Sequence, residues 1–284
     1  MKPFILSAFA DEIDPCLQLQ MDVLEQHEIF HIEMRGVNGK NITEHSLQEV
    51  KEIKKQLDDR GFRISALGSP IGKIQITDSF SSHLDLFKHT LEIANLLETQ
   101  YIRMFSFYIP QGQDPQLYEE EVMERWYAFL QAAHGSNIIL LHENEKGIYG
   151  DVPERCLKLV QMMKASNIKL IFDPANFVQC SVDTKKAYEQ LKEEVVYFHI
   201  KDARSIDHQV VPAGYGDGQI KEILTLAYQQ GFQGFLSLEP HLGNFAGFDQ
   251  LEEGVSLEGM ESSGPDKFHI AAKALIKIHE EIIG

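Results

Sequence analysis

The sequence predicts an α/β fold, a closed (β/α)8 or TIM barrel that forms a single domain over residues 1–284. Three observations predict it. Short apolar runs alternate eight times with amphipathic helical stretches. Nearly every apolar run turns polar at its C-terminal end, as parallel strands do when they reach one rim of a barrel. No change in composition, Ser/Gly-rich linker or low-complexity segment divides the chain.

The eight predicted strands are too short to be typical helices. In order they are FILSAF, HIEMR, RISALGS, YIRMFSF, NIILLHENE, IKLIFDPAN, VVYFHIKD and GFLSLEPH. The first lies in MKPFILSAFADE, which imitates a signal peptide but is too short for one. We interpret it instead as a strand from Phe4 to Phe9, with Ala10, Asp11 and Glu12 emerging at the rim.

Helical patterns follow these strands. They cover Ile13 to Glu28, SLQEVKEIKKQLDDRG, HLDLFKHTLEIANLL, Asp114 to Ala133, Asp151 to Lys164, Asp183 to Lys192, Asp217 to Gln230 and Pro265 to Ile283. Gly61 is expected to end the second helix in a left-handed cap. Asp78 with Ser79 is expected to cap the third helix, and Asp217 the helix before the last strand.

An open, doubly wound sheet is the alternative architecture. It is disfavoured because no G-x-G-x-x-G follows the first strand, and because the polar strand ends do not gather at one switch point. The long connection from His241 to Gly264 is glycine-rich and acidic. It is expected to be a lid over the rim or else a surface excursion.

Composition restricts the partners. The formal net charge of -17 would repel a phosphate backbone and an anionic membrane surface, so we expect neither as a partner. No apolar run approaches the roughly 20 residues that a membrane span requires. Cys16, Cys156 and Cys180 show neither metal-type spacing nor an even disulfide framework, which predicts a cytoplasmic protein. The sequence is compatible with a homo-oligomer.

Each of the last four strands ends in a residue that can bind a metal: Glu143, Asp173, His199 and Glu239. At one barrel rim these would present three carboxylates and an imidazole. That donor set suits one divalent ion, Mn, Co, Mg or Zn, and the absence of cysteine argues against a structural zinc or an iron–sulfur cluster.

Such a site permits proton transfer beside a carbonyl. A hydroxy-ketone or hydroxy-aldehyde sugar can chelate the metal, and the cation then stabilises the enediolate formed when a carbon-bound proton is removed. Glu143 and Glu239 would stand across the metal from one another. Removal of the proton by one and its return by the other gives epimerisation, whereas return by the same residue to the adjacent carbon gives isomerisation.

The motifs HENE, FDPAN, HIKDA with VPAGYGDG, and LEPH, with ADEI and GSPIGK upstream, resemble the xylose-isomerase-like barrel superfamily. The match is to its bacterial sugar phosphate isomerase/epimerase branch, an AP-endonuclease-like barrel, over essentially the whole chain. The resemblance implies that Glu143 and Glu239 are both ligands and acid–base groups, and that Asp173 and His199 are ligands only. Related sugar epimerases often carry a histidine where this chain has Asn176, which alters a substrate contact.

The substrate is expected to be a small sugar, a sugar phosphate or a related hydroxy-carbonyl compound. The candidate substrate-binding residues are Lys73, Arg103, Asn176, Lys201, Arg204 and His241. Four of these are cations near strand ends, which an anionic or polyhydroxylated ligand would need. His142 and His241, close to ligands, are interpreted first as structural or supporting groups.

Two further features have alternative interpretations. The preferred interpretation of the loop from Gly214 to Gly218 is a turn with a helix cap. The second interpretation is a site that binds a phosphate group. Glu33 and Arg35 are interpreted as a buried ion pair beneath the pocket, or as part of its lining.

Three alternative functions remain. A dehydratase of cyclic polyols would use the same metal site. A phosphodiesterase like endonuclease IV needs several histidines from the earlier strands, and SALGSP and YIRMFS supply none. A sugar-binding or regulatory protein could keep the barrel without turnover, because fold alone does not prove catalysis.

Overall fold

Eight parallel strands close into a barrel in the computed structural model, which describes residues 3–163, 167–242 and 264–284. The strands are β1 (Phe4–Ala8), β2 (His31–Met34), β3 (Arg63–Leu67), β4 (Tyr101–Met104), β5 (Ile139–Glu143), β6 (Ile168–Phe172), β7 (Val195–Ile200) and β8 (Gly234–Leu238). Neighbours in sequence are neighbours in the barrel, and β8 pairs with β1 to close it. The predicted (β/α)8 fold and all eight predicted strands are therefore confirmed.

Helices surround the barrel. They are α1 (Leu17–Gln26), α2 (Leu47–Asp59), α3 (Ser81–Leu96), α4 (Glu119–Ala132), α5 (Pro153–Met163), α6 (Pro174–Gln179), α7 (Thr184–Leu191), α8 (Ile220–Gln229) and α9 (Pro265–Ile283). The sequence did not predict α6, which begins directly after β6. It also did not predict two small antiparallel hairpins, Gly36–Val37 with Lys40–Asn41 and Asp202–Ala203 with Val210–Val211.

Helix caps agree with the sequence only in part. Gly61 follows α2 with a left-handed φ of +76°, as predicted. The cap prediction for Asp78 and Ser79 was wrong, because Asp78 accepts a hydrogen bond from the Gln75 amide and α3 begins after Phe80. The prediction for Asp217 was also wrong, because its carboxylate binds the amide and hydroxyl groups of Ser205.

The core has two layers. A large apolar cluster lies between the strands and the helices, and a smaller one of Ala66, Leu141, Ile171 and Tyr197 fills the barrel interior. Because side chains alternate in direction along a strand, Tyr197 and His199 of β7 face the interior while Phe198 packs in the outer cluster. The interior therefore carries polar groups beneath the rim.

None of the described helices is long and apolar enough to cross a lipid bilayer. The predicted lid from His241 to Gly264 falls largely on residues 243–263, which lie outside the described residues.

Candidate metal centre

The four predicted ligands converge at the C-terminal rim of the barrel. Glu143 ends β5, Asp173 follows β6, His199 lies near the end of β7 and Glu239 follows β8. One ligand atom from each lies within 4.8 Å of those of the others. All four side chains are buried, with no more than 3% of any residue exposed. The strand ends thus place three carboxylates and one imidazole around a single point.

Local hydrogen bonds fix Asp173. It caps α6, accepting a bond from the Asn176 amide at 2.9 Å through Oδ1, and Pro174 occupies the first helical position. Its main chain is held by Asn144, whose side chain exchanges two hydrogen bonds with the Asp173 backbone. Oδ2 therefore remains directed toward the other ligands. The sequence analysis missed Asn144, although it directly follows Glu143 in the HENE motif.

The His199 ring presents Nδ1 to the ligand cluster. Nδ1 lies 3.0 Å from Glu143 Oε1 and 3.8 Å from both Asp173 Oδ2 and Glu239 Oε2. Nε2 lies 3.1 Å from the Glu33 carboxylate on the opposite side of the ring. Of the two interpretations of Glu33 and Arg35, the ion pair is wrong, since Glu33 pairs with His199 inside the barrel and Arg35 is bound by other carboxylates. The other interpretation holds for Arg35, which lines the cavity at this rim.

Three cationic side chains neutralise part of this negative charge. Lys201 Nζ lies 2.9 Å from Asp173 Oδ2 and 2.7 Å from Glu239 Oε2. Arg103 Nη1 lies 3.3 Å from Glu143 Oε2, and Arg35 Nη1 lies 3.1 Å from Glu239 Oε1. Buried carboxylates need such partners, because an isolated buried charge is costly.

These charges keep two of the carboxylates ionised. Burial alone would raise the pKa of Glu143, but the charges of His199 and Arg103 lower it to about 2. Burial would also raise the pKa of Glu239, but the positive charges of Lys201 and other cations hold this pKa well below its usual value. At Asp173 burial prevails over the attraction of Lys201 and raises the pKa to about 6. The carboxylates are therefore ionised at neutral pH, as ligands of a cation must be.

One ligand atom lacks a hydrogen bond. Glu143 Oε2 is buried and accepts none, although Arg103 lies 3.3 Å away, so it is available to an ion. Burial lowers the pKa of His199, but Glu143 and Glu33 more than compensate and raise it to about 10. A metal ligand must be the neutral ring, so metal binding at this position would release a proton.

A cavity of about 310 Å³ lies beside these ligands. Five of the six candidate substrate-binding residues line it: Lys73, Arg103, Asn176, Lys201 and His241. The sixth, Arg204, is not among the described residues that line the cavity, because its guanidinium binds Asp207 and Gln209 in the loop after β7. The sequence did not predict the contributions of Asn41, Glu145 and Gln179 to the lining.

Arg35 organises one wall of the cavity. Glu12, Glu239 and His241 form a second group whose ligand atoms lie within 4.8 Å of one another. The Arg35 guanidinium already binds two of these, at 3.0 Å from Glu12 and 3.1 Å from Glu239. It also binds Asp11 at 2.7 Å. We therefore interpret this group as an ion-pair network and not as a second metal site.

His142 does not belong to the cluster, although it precedes Glu143. Its ring is fully buried, bonds the Ser106 hydroxyl at 2.9 Å and packs against Trp126. Burial lowers its pKa to about 3, so the ring is neutral. Its role is structural, one of the two roles that the sequence indicated.

The glycine loop after β7 is filled by a carboxylate of the chain itself. Asp202 accepts hydrogen bonds from the amides of Gly214, Gly216 and Gly218 at 2.8 to 3.0 Å. A Cβ at Gly216 would lie 2.4 Å from Asp202 Oδ1, which explains the glycine there. These amides are not free to cradle a phosphate, so that interpretation of the loop was wrong.

Replacing Asp202 with alanine is expected to destabilise the fold. The change leaves the buried amides of Ala203 and Gly218 without this acceptor, at about 1–3 kcal/mol for each unsatisfied group, and also frees two partly buried amides. We expect urea denaturation to show the free energy of unfolding lowered by about 3 kcal/mol or more. Asp202→Asn keeps one acceptor oxygen and should lose less. Equal stability of Asp202→Ala and the wild-type chain would show that the loop does not depend on this carboxylate.

The family model described as xylose isomerase-like TIM barrel matches residues 22–261. No curated protein sequence matches the chain significantly. Similar solved structures include the IOLI protein with a bound zinc atom, at 14% identity, with a TM-score of 0.76 and coverage of 98% of this chain and 99% of that one. The probable 3-DHS dehydratase AsbF of Bacillus anthracis is 16% identical, with a TM-score of 0.74 and 98% of each chain covered.

A third similar structure is the 3-keto-D-glucoside 4-epimerase YcjR of E. coli, at 11% identity and a TM-score of 0.71. That match covers 99% of this chain and 100% of the epimerase. At these identities the similarities show the fold alone, whereas the family model covers most of the sequence. The chain belongs to the xylose isomerase-like TIM barrel family.

Proposed function

We propose that the chain is a divalent-metal-dependent isomerase or epimerase of a small sugar, a sugar phosphate or a related hydroxy-carbonyl compound. One observation carries the proposal. Glu143, Asp173, His199 and Glu239 converge, buried, beside a cavity lined by charged and polar side chains. Membership of the family and the similarity to a named sugar epimerase support the same function.

These four residues would hold one divalent ion. Three carboxylate oxygens and His199 Nδ1 are hard or intermediate donors, a set that accepts Mn, Co, Mg or Zn. When bound, the ion supplies stabilisation of the negative charge that develops on the oxygens of the substrate. A structurally similar protein with a zinc atom supports the proposal of a metal in this barrel.

The two glutamates are the proposed acid–base groups. Of the four ligands, only Glu143 and Glu239 line the cavity, so only they can reach a substrate held there. Asp173 and His199 lie behind them. A carboxylate that contacts the cavity can take a proton from a substrate carbon and return one to it. If the two act in turn the product is an epimer, and if one acts alone it is an isomer.

The other cavity residues are proposed to bind the substrate. Lys73, Arg103 and Lys201 provide positive charge, while Asn176 and His241 provide neutral or switchable hydrogen-bonding groups. Asn176 also donates a hydrogen bond of 3.2 Å to Glu143 Oε1. It can therefore position Glu143 in both of its proposed roles, as base and as metal ligand. Arg204 is no longer proposed for this role.

Incubation with a substrate panel in heavy water tests this function. Ketoses, their phosphates and related keto-sugars would be supplied with Mn²⁺, Co²⁺ or Mg²⁺, and the products followed by proton NMR. We expect at least one compound to be isomerised or epimerised with incorporation of solvent deuterium at carbon. Turnover without metal, or without deuterium in either substrate or product, would contradict the proposed mechanism.

Dehydration of a cyclic polyol is the second candidate function. The observation that favours it is the similarity to a protein named as a probable dehydratase. It would use the same carboxylates to remove the carbon-bound proton, but the substrate would then lose a neighbouring hydroxyl as water. Inosose-type polyols in the same panel distinguish the two, because dehydration gives a conjugated product that absorbs in the near ultraviolet.

The phosphodiesterase alternative has less support. The formal net charge of -17 opposes DNA binding. Arg35 also binds Glu12 and Glu239, two members of the group that would otherwise be the candidate for a second metal site. Among the described residues, His241 is the single histidine in the lining. Cleavage of abasic-site DNA by the purified, metal-loaded chain would nevertheless establish the nuclease function and overturn the proposal.

A further inference from the structure

Glu33 lies in the barrel interior directly behind His199. It is fully buried, and both of its carboxylate oxygens approach His199 Nε2, at 3.1 and 3.2 Å. Among the described residues no lysine or arginine forms an ion pair with Glu33. A buried carboxylate without such a partner is costly unless a hydrogen-bond donor satisfies it. His199 is therefore its principal charged partner, beside the hydroxyl of Tyr197.

Strand alternation directs Glu33 inward, because its neighbours Ile32 and Met34 both pack in the outer apolar cluster. The pairing of β2 with β3 skips one residue of β3, Ser65, between Ile64 and Ala66. The interior beneath Glu33 is itself ordered, because the Tyr197 hydroxyl bonds Ser65 at 2.9 Å and Ser65 bonds Ser7 at 2.6 Å.

Aromatic rings hold the imidazole between Glu33 and the ligand cluster. The Phe9 ring meets the His199 ring nearly edge to face, with centroids 5.1 Å apart and an interplanar angle of 77°. Tyr197 meets it at 6.0 Å and 84°. The ring can therefore not rotate freely. One nitrogen must face Glu33 and the other the ligand cluster.

We infer that Glu33 is a positioning residue that holds His199 through its Nε2 proton and so directs Nδ1 at the metal centre. A carboxylate can only accept a hydrogen bond, so Nε2 must be the donor to Glu33. Nδ1 lies 3.0 Å from Glu143 Oε1 and donates to that carboxylate until metal binding displaces its proton and the lone pair becomes the ligand. Carboxylates behind ligating histidines commonly fix the tautomer and raise metal affinity. This inference rests on the proposed metal centre.

The test uses two replacements of Glu33 and zinc as the probe. Glu33→Gln keeps the shape but removes the charge, and Glu33→Leu also removes the acceptor. We expect competition with a chromophoric chelator to show Zn²⁺ affinity lowered about 10- to 100-fold, with Glu33→Leu the weaker binder. Glu119→Gln is the control, because it removes a carboxylate that bonds the Tyr149 hydroxyl and pairs with Lys158, away from His199 and the cavity lining.

Long-range proton–nitrogen NMR of the histidine rings gives a second measurement, which a merely structural role would not affect. The wild-type protein should show a protected Nε2 proton on His199 both with and without zinc, and Glu33→Leu should lose that protection. Unchanged affinity in both Glu33 variants, or a zinc-loaded protein whose His199 proton is on Nδ1 and not on Nε2, would overturn the inference. Failure of the wild-type chain to bind zinc would instead refute the metal centre, and the metal-free spectra would still test the contact.

Discussion

Glu143→Gln and Glu239→Gln are each expected to lose about a hundred- to ten-thousand-fold in kcat, and the loss should persist at saturating metal. Glutamine retains an oxygen that can serve as a ligand, but it cannot take or return a proton at neutral pH. Both side chains line the cavity, which is why the loss is expected in turnover. The measurement is kcat for the best substrate of the panel across a metal titration, with deuterium exchange at carbon recorded in parallel.

Asp173→Asn is the matched comparison for the two glutamine variants. Asparagine can still cap α6, so the backbone around the site should be preserved. Its defect should lie in metal affinity, and part of its activity should return as metal is raised. If metal rescued the two glutamine variants as readily as the asparagine variant, the glutamates would be ligands only and the acid–base roles would have to be abandoned.

Lys201→Met is expected to destabilise the metal-free protein by about 3–5 kcal/mol, because removing one partner of a buried ion pair leaves uncompensated charge. Lys201 is 6% exposed and lies within 3 Å of oxygens of both Asp173 and Glu239. Methionine fills a similar volume, so the loss reports mainly on charge. Urea denaturation in the presence of a chelator measures the free energy of unfolding.

Metal should restore more stability to this variant than to the wild-type chain, because the ammonium group no longer opposes the divalent ion. Lys73→Met is the control. Lys73 pairs with Glu145 in a partly exposed position, where an ion pair contributes about 0–1 kcal/mol. Equal unfolding free energies for the two variants would show that Lys201 does not neutralise the ligand cluster.

The sequence predicted the features of this protein that depend on local pattern. Apolar runs that turn polar identified each barrel strand, and the polar residues that end the last four strands identified the candidate ligands that the structure brings together. A closed barrel brings the ends of β5 to β8 to one rim, so residues as distant as Glu143 and Glu239 meet without any direct signal in the chain between them.

The errors arose where a distant residue determined the contact. Glu33 and Arg35 are close in sequence and opposite in charge, which suggested an ion pair. Their partners, His199 and Glu239, lie 166 and 204 residues away. The extra residue of β3, Ser65, that shifts its register against β2 was not visible in the sequence either.

The glycine loop shows the same limit. Asp217 precedes a helix and has the residue type of a cap, yet it binds Ser205. Asp202, twelve or more residues before the loop amides that it binds, was not identified as their acceptor. Arg204 was placed with the substrate because it follows a strand. Its nearest acceptor, Asp207, lies in the same loop and holds it away from the cavity.

The most direct test of the metal centre is anomalous diffraction at the manganese absorption edge from crystals of the chain grown with Mn²⁺. We expect one peak at about 2.0–2.3 Å from Glu143, Asp173, His199 Nδ1 and Glu239, the usual range for oxygen and nitrogen ligands of such ions. The absence of a peak at these four residues, or a peak bound by Glu12, Glu239 and His241 instead, would contradict the assignment of the metal centre.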